Sequence, residues 1–105
     1  MRDSVKKILL ACNAGMSTSL LVNKMKAAAT KNLAVEIEAV PVSEAVQILE
    51  GWDCVLLGPQ VGHELAKFKR ATRNLDITVE IISAQNYGRV DGEAVLNQAL
   101  SIIKD

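Results

Sequence analysis

The chain has 105 residues, half of them hydrophobic, with 12 basic and 12 acidic side chains. That length suits one domain, residues 1–105, with an ordinary core, and a formal charge of zero argues against nucleic acid or an anionic membrane as the main partner. No apolar run reaches the ~20 residues of a membrane-spanning helix, and Met1 to Lys7 lacks a signal-peptide core, so a cytoplasmic protein is expected.

The first element is the apolar run Lys7-Ile8-Leu9-Leu10-Ala11, read as a central parallel strand covered on both faces. After Cys12-Asn13-Ala14-Gly15-Met16-Ser17-Thr18-Ser19, a helix from about Ser17 to Lys31 places Leu21, Met25 and Ala28 on one stripe and Asn23, Lys24 and Lys26 outside it. Val35-Glu36-Ile37-Glu38-Ala39-Val40 alternates apolar with acidic residues, as an edge strand does. Ser43 is placed to cap a helix running to about Glu50, with Ala45, Val46 and Leu49 inward and Gly51 at its end.

Cys54-Val55-Leu56-Leu57 is the second central strand, followed by the loop Gly58-Pro59-Gln60-Val61-Gly62 and a helix from Gly62 to Ala71 that buries Leu65 and Phe68. Val79-Glu80-Ile81-Ile82 is a short, charged edge strand, and Ser83 to Tyr87 reads as a loop. The carboxylate of Asp91 can cap a last helix that buries Val95, Leu96, Ala99, Ile102 and Ile103. The order βαβαβαβα predicts an α/β fold: a single three-layer domain with a four-stranded parallel sheet, helices on both faces and strand order 2-1-3-4.

In such a sheet ligands bind beyond the carboxyl ends of the strands where the order reverses, here between the first and third strands. The octapeptide starting at Cys12 should line that place, with the loop after the third strand beside it. A cysteine ending a buried strand is usually a small core residue. The company of this one argues otherwise. Gly15 lets the backbone bend around a ligand, Ser17, Thr18 and Ser19 supply hydroxyls, and a helix N-terminus favours both a thiolate and a bound phosphate. The candidate site is therefore Cys12 as nucleophile, Asn13, Ala14, Gly15, Met16, Ser17, Thr18 and Ser19 as phosphate binders, and Pro59 and Gln60 on the second loop. A hydroxyl such as that of Ser19 is expected to support the sulfur.

Other candidates are weaker. Cys12 and Cys54 show no CxxC spacing, which disfavours a thioredoxin-type site and a zinc site alike. Cys54 opens a buried strand and reads as core. His63, the only histidine, reads as an exposed residue at a helix start. Asp53 precedes its strand, whereas the phospho-acceptor of a receiver domain follows one. Met16, Tyr87, Gly88 and Arg89 are candidates for a docking face.

The octapeptide has the frame of the cysteine phosphatase loop, where five residues separate Cys from Arg and Ser or Thr follows the Arg. Here Thr18 stands in place of that Arg and Ser19 follows. Without the guanidinium fork that clamps a transferring phosphoryl group, hydrolysis should be poor. The loop after the fourth strand also lacks the Asp-Pro pair that supplies a general acid in small phosphatases of this architecture. A low-activity cysteine phosphatase of low molecular weight remains the alternative to a phosphoryl carrier.

The stretches Leu10 to Leu21, Leu56-Leu57-Gly58-Pro59-Gln60-Val61 and Tyr87-Gly88-Arg89-Val90-Asp91-Gly92 resemble the IIB component of the bacterial sugar phosphotransferase system, lactose/cellobiose (diacetylchitobiose) type. The likeness runs along essentially the whole chain. It implies a sugar phosphotransferase in which Cys12 takes a phosphoryl group from a histidine of the IIA component. It further implies transfer to a cellobiose-, chitobiose- or lactose-type sugar bound by the membrane component IIC, at the inner face of the membrane. No cofactor or metal is implied.

Overall fold

A computed structural model describes residues 5–13, 18–29 and 34–103 of the chain. Its elements are β1 (Lys6–Cys12), α1 (Thr18–Ala28), β2 (Val35–Pro41), α2 (Val42–Ala45), β3 (Cys54–Leu57), a 3₁₀ turn (Pro59–Glu64), α3 (Leu65–Ala71), β4 (Thr78–Ile81), α4 (Ala84–Gly88) and α5 (Gly92–Ile102). The four strands are parallel in the order β2-β1-β3-β4. The expected architecture is therefore the one observed.

Alternation along the central strands divides the core in two. Ile8, Leu10, Cys54 and Leu56 face α1 and α5, meeting Leu21, Met25, Val95 and Ala99. Leu9, Ala11, Val55 and Leu57 face the other way, onto Ala45, Leu49, Val61 and Phe68. Parallel registry stacks like on like, Leu10 beside Leu56 and Ala11 beside Leu57. The four residues of β3 are all fully buried, each large aliphatic one contributing about 1.5–3 kcal/mol. The edge strands expose Glu36 and Glu38 on β2 and Glu80 on β4, which discourages edge-to-edge pairing.

Three local readings change. Helix α2 is one turn long, with Pro41 rather than Ser43 at its N-cap, and Ser43 lies inside it. Beyond Ala45 the chain tightens into i→i−3 bonds, Gln47 N–H to Glu44 O at 3.0 Å and Ile48 N–H to Ala45 O at 3.1 Å, which keeps Leu49 buried up to the left-handed Gly51 (φ 96°). The helix expected over Gly62 to Ala71 is divided, because Val61 and the residues around it form a 3₁₀ turn started by Pro59, and α3 begins only at Leu65. The segment after β4, expected to be a loop, holds α4, capped by the Ser83 hydroxyl accepting from Asn86 N–H at 3.0 Å. Asp91 caps α5 as expected, accepting from Ala94 N–H at 3.1 Å.

At the pole opposite Cys12, the Asp53 carboxylate accepts from Lys7 N–H at 2.8 Å and Asp53 N–H donates to Lys7 O at 2.8 Å, extending the β1–β3 ladder by one pair. Cys54 follows it, fully buried. Burial, with Asp53 and Glu80 adding, pushes its thiol up from 9.0 to about 12. The folded chain thus holds this proton more firmly than the unfolded chain does. The resulting stabilisation is complete below pH 9 and is lost as pH rises toward 12. Unfolding midpoints of Cys54→Ala and wild type, measured across that range, are expected to converge as pH rises; a constant gap overturns the assignment.

Candidate functional site

Cys12 closes β1 with its side chain on the α1 side of the sheet and only 6% of its surface exposed. Its Sγ lies 3.0 Å from Thr18 Oγ1, at the first residue of α1, and 3.8 Å from the Val40 carbonyl oxygen at the end of β2. The sulfur therefore sits at the N-terminus of an 11-residue helix, where unpaired N–H groups amount to about half a positive charge.

Thr18 is 4% exposed. Ser19, the hydroxyl expected beside the sulfur, is instead exposed. Successive helical residues point about 100° apart, so only one of the two can face Cys12, and the first helical turn gives that position to Thr18. Asn13 is exposed just beyond β1. Ala14, Gly15, Met16 and Ser17 lie outside the described residues.

The loop after β3 comes close, as expected. Gly58 N–H donates to Ala11 O at 2.9 Å, and a Cβ on Gly58 would stand 3.6 Å from Cys12 Cβ. Pro59 opens the 3₁₀ turn, and exposed Gln60 folds its Oε1 back to 3.2 Å from that same hypothetical Cβ. The second loop thus packs on the backbone beside Cys12.

An open cavity of about 500 Å³ adjoins the sulfur on the β2 side. Cys12, Asn13, Thr18, Ser19, Val22 and Asn23 form one wall, and residues Ile37 to Pro41 form the other. Its position departs from the expected place between β1 and β3. Asn23 and Glu38 are the polar wall residues that sequence reasoning did not single out. Asn23 had a signal, four residues beyond Ser19 on the same helix. Glu38 had none, because its approach depends on the parallel register that pairs Cys12 with Pro41.

The remaining candidates lie apart from this contact set. His63 has a side chain 73% exposed, 3.5 Å from Glu64, which in turn lies 3.9 Å from Lys67. Cys54 is core. Arg89 is exposed at the C-cap of α4, preceding Val90, a β-branched residue held at φ 52°. Among the described residues, no helix is long and apolar enough to cross a membrane.

The arrangement offers a cysteine sulfur at a positive helix end, a neighbouring hydroxyl and an open cavity beside them. Residues 7–98 match the family described as PTS system, Lactose/Cellobiose specific IIB subunit. Over 100 residues the chain is 42% identical to the oligo-beta-mannoside-specific EIIB component of Bacillus subtilis (strain 168), covering 94% of this chain and 97% of that one. Identity is 38% to a cellobiose-specific EIIB component of Lactococcus lactis subsp. lactis (strain IL1403), covering 93% of this chain and 96% of the other. Two solved structures are similar. The lactose-specific IIB domain from Streptococcus pneumoniae superposes with a TM-score of 0.83 at 19% identity, covering 93% of this chain and 97% of that domain, a likeness of fold. The cellobiose-specific IIB protein from Borrelia burgdorferi superposes with a TM-score of 0.74 at 37% identity, covering 93% and 91% of the two chains.

Proposed function

Since the chain belongs to the lactose/cellobiose-specific IIB subunits of the sugar phosphotransferase system, we propose that it carries phosphate on Cys12 between a IIA phosphohistidine and a sugar held by IIC. The observation that supports this most directly is the position of Sγ at the N-terminus of α1, beside an open cavity. In the first transfer the thiolate forms an S–P bond in line with the breaking P–N bond, whose electron pair returns to the donor imidazole. In the second, a sugar hydroxyl oxygen takes the phosphorus and sulfur leaves as thiolate.

The backbone N–H groups of residues 13 to 19, with the hydroxyls of Ser17 and Ser19, are the proposed partners of the equatorial phosphoryl oxygens, where preorganised donors act most strongly. Thr18 is too short to reach around a phosphoryl group as an arginine fork does. Phosphate is then held without strong assistance to water, which suits a carrier. The proposed sugars are β-linked disaccharides of the cellobiose, chitobiose or lactose type, in keeping with relatives named for oligo-beta-mannoside and cellobiose; a further relative is named for the monosaccharide galactose. The chain would act at the inner face of the membrane, docked on IIC.

Incubation with radiolabelled, phosphorylated IIA, followed by peptide mapping, tests this reading. The expected result is one acid-sensitive phosphoryl group on the Cys12 peptide, passed to sugar only when membranes containing IIC are added. Label on His63, or rapid release of inorganic phosphate without sugar, overturns it; the second outcome is what a cysteine phosphatase would give.

A further inference from the structure

Among the described residues, the Cys12 sulfur has two hydrogen-bond contacts, and they respond in opposite ways to its ionisation. A carbonyl oxygen only accepts, so the 3.8 Å approach to Val40 O suits a protonated thiol and opposes a thiolate. A hydroxyl can donate, and a hydrogen bond to an ionised acceptor is stronger than one to a neutral acceptor. The 3.0 Å contact with Thr18 Oγ1 therefore strengthens as the thiol loses its proton. Among the described residues, the Thr18 hydroxyl has no other hydrogen-bond partner. Threonine is also stiff at χ1, which holds Oγ1 in place.

We infer that Thr18 is a positioning residue acting on the sulfur rather than on the phosphate, its hydroxyl donating to the Cys12 thiolate before the first transfer and to the departing sulfur in the second. This rests on the reading of Cys12 as the phosphoryl acceptor. In the first transfer the thiol proton has already gone to solvent, and the S–P bond forms as the P–N bond breaks. In the second, the O–P bond forms as the S–P bond breaks, the sugar hydroxyl proton goes to solvent, and the returning electron pair on sulfur meets the Thr18 O–H. Threonine gives up no proton in either step. The side chain at the arginine position of the phosphatase frame is thus turned inward onto sulfur, which leaves exposed Ser19 to face the cavity.

The groups around the sulfur make this separable from other charge effects. On the α1 side Thr18, Ser19, Val22 and Asn23 are uncharged, and Gly58 lies against β1. Glu38 on β2 is the one charged side chain among the described residues of the cavity wall, and it is the same in every variant compared.

The test is alkylation of Cys12 by iodoacetamide, together with ultraviolet absorbance of the thiolate, in wild type, Thr18→Val, Thr18→Ala and Thr18→Ser. Cys54 does not compete, being fully buried with its thiol pushed up to about 12. Near neutral pH the Val and Ala variants are expected to alkylate about tenfold more slowly with lower thiolate absorbance, and Ser to stay within about threefold of wild type. The gap should close in alkaline solution, where thiols ionise without help. Wild-type alkylation rates in both hydroxyl-free variants, or a gap that persists at alkaline pH, overturn the inference. If Val does not fold, the comparison of Ala with Ser decides the same question. Alkylation needs neither IIA nor sugar, so its failure leaves the carrier reading standing. Conversely, the absence of phosphate on wild-type Cys12 overturns that reading and leaves the alkylation result intact.

Discussion

Cys12→Ser is expected to take up phosphate from IIA at less than about a thousandth of the wild-type rate, since removing an enzyme's nucleophile can cost on the order of 10⁶. The substitution is nearly isosteric, so the fold of β1 and α1 is expected to survive it. Reactivity is not. A thiol yields a usable nucleophile near neutrality, whereas a serine hydroxyl needs an adjacent general base. Among the described residues, the groups hydrogen-bonded to Sγ, the Thr18 hydroxyl and the Val40 carbonyl, are not bases of that kind. Label transfer from phosphorylated IIA, with a thermal melt as the folding control, measures the effect. A folded Cys12→Ser protein that still relays phosphate to sugar removes Cys12 from the mechanism.

Gly92→Ala is expected to produce the largest loss of stability of any single added methyl at the described glycines. A Cβ there would stand 2.4 Å from Lys24 C and 2.6 Å from both Lys24 Cβ and Met25 N. Two of those atoms are backbone, so no side chain can swing aside. An ordinary carbon contact is about 3.5 Å, so α1 and α5 would have to separate by roughly 1 Å. Separation would loosen the layer in which Leu21 and Met25 meet Val95, Leu96 and Ala99. Overpacking and the accompanying loss of contacts should cost about 2–4 kcal/mol, a fall in Tm of roughly 10–20 °C for a domain of this size. Gly88→Ala is the control: a Cβ there meets nothing within 4 Å and the backbone has no positive φ, so no loss, or a gain of up to about 1 kcal/mol, is expected. If Gly92→Ala melts within about 2 °C of wild type, the close approach of the helices is not a constraint.

These two glycines show where sequence reading stops. Gly88 and Gly92 stand four residues apart in one short motif and look alike as letters, yet one is open and the other is pressed against the backbone of a helix more than sixty positions away. No local pattern records that distance. The same limit applies to Thr18 and Ser19, where a difference of one helical step decides which hydroxyl meets the sulfur. Helix α4 is a different case, because the cap was legible: Ser83 stands three residues before the Asn86 N–H it accepts from. Its five residues carry no buried position to betray a helical stripe. Helix α2 erred in the other direction, since its apolar spacing survives in turns bonded i→i−3.

The sequence alone determined the strand order, because two uninterrupted apolar runs had to be central and two charged ones had to be edges, and hydrophobic burial enforces that choice wherever the chain folds. It likewise determined that a cysteine ends the first strand just before a helix, since a strand-to-helix period change is local. Tertiary structure decided which hydroxyl meets the sulfur, that a β2 carbonyl also approaches it, and that the neighbouring cavity opens toward β2. Those depend on the parallel register of β1 with β2 and the rotation of α1 about its axis. Register and rotation are set by contacts between residues far apart in the chain.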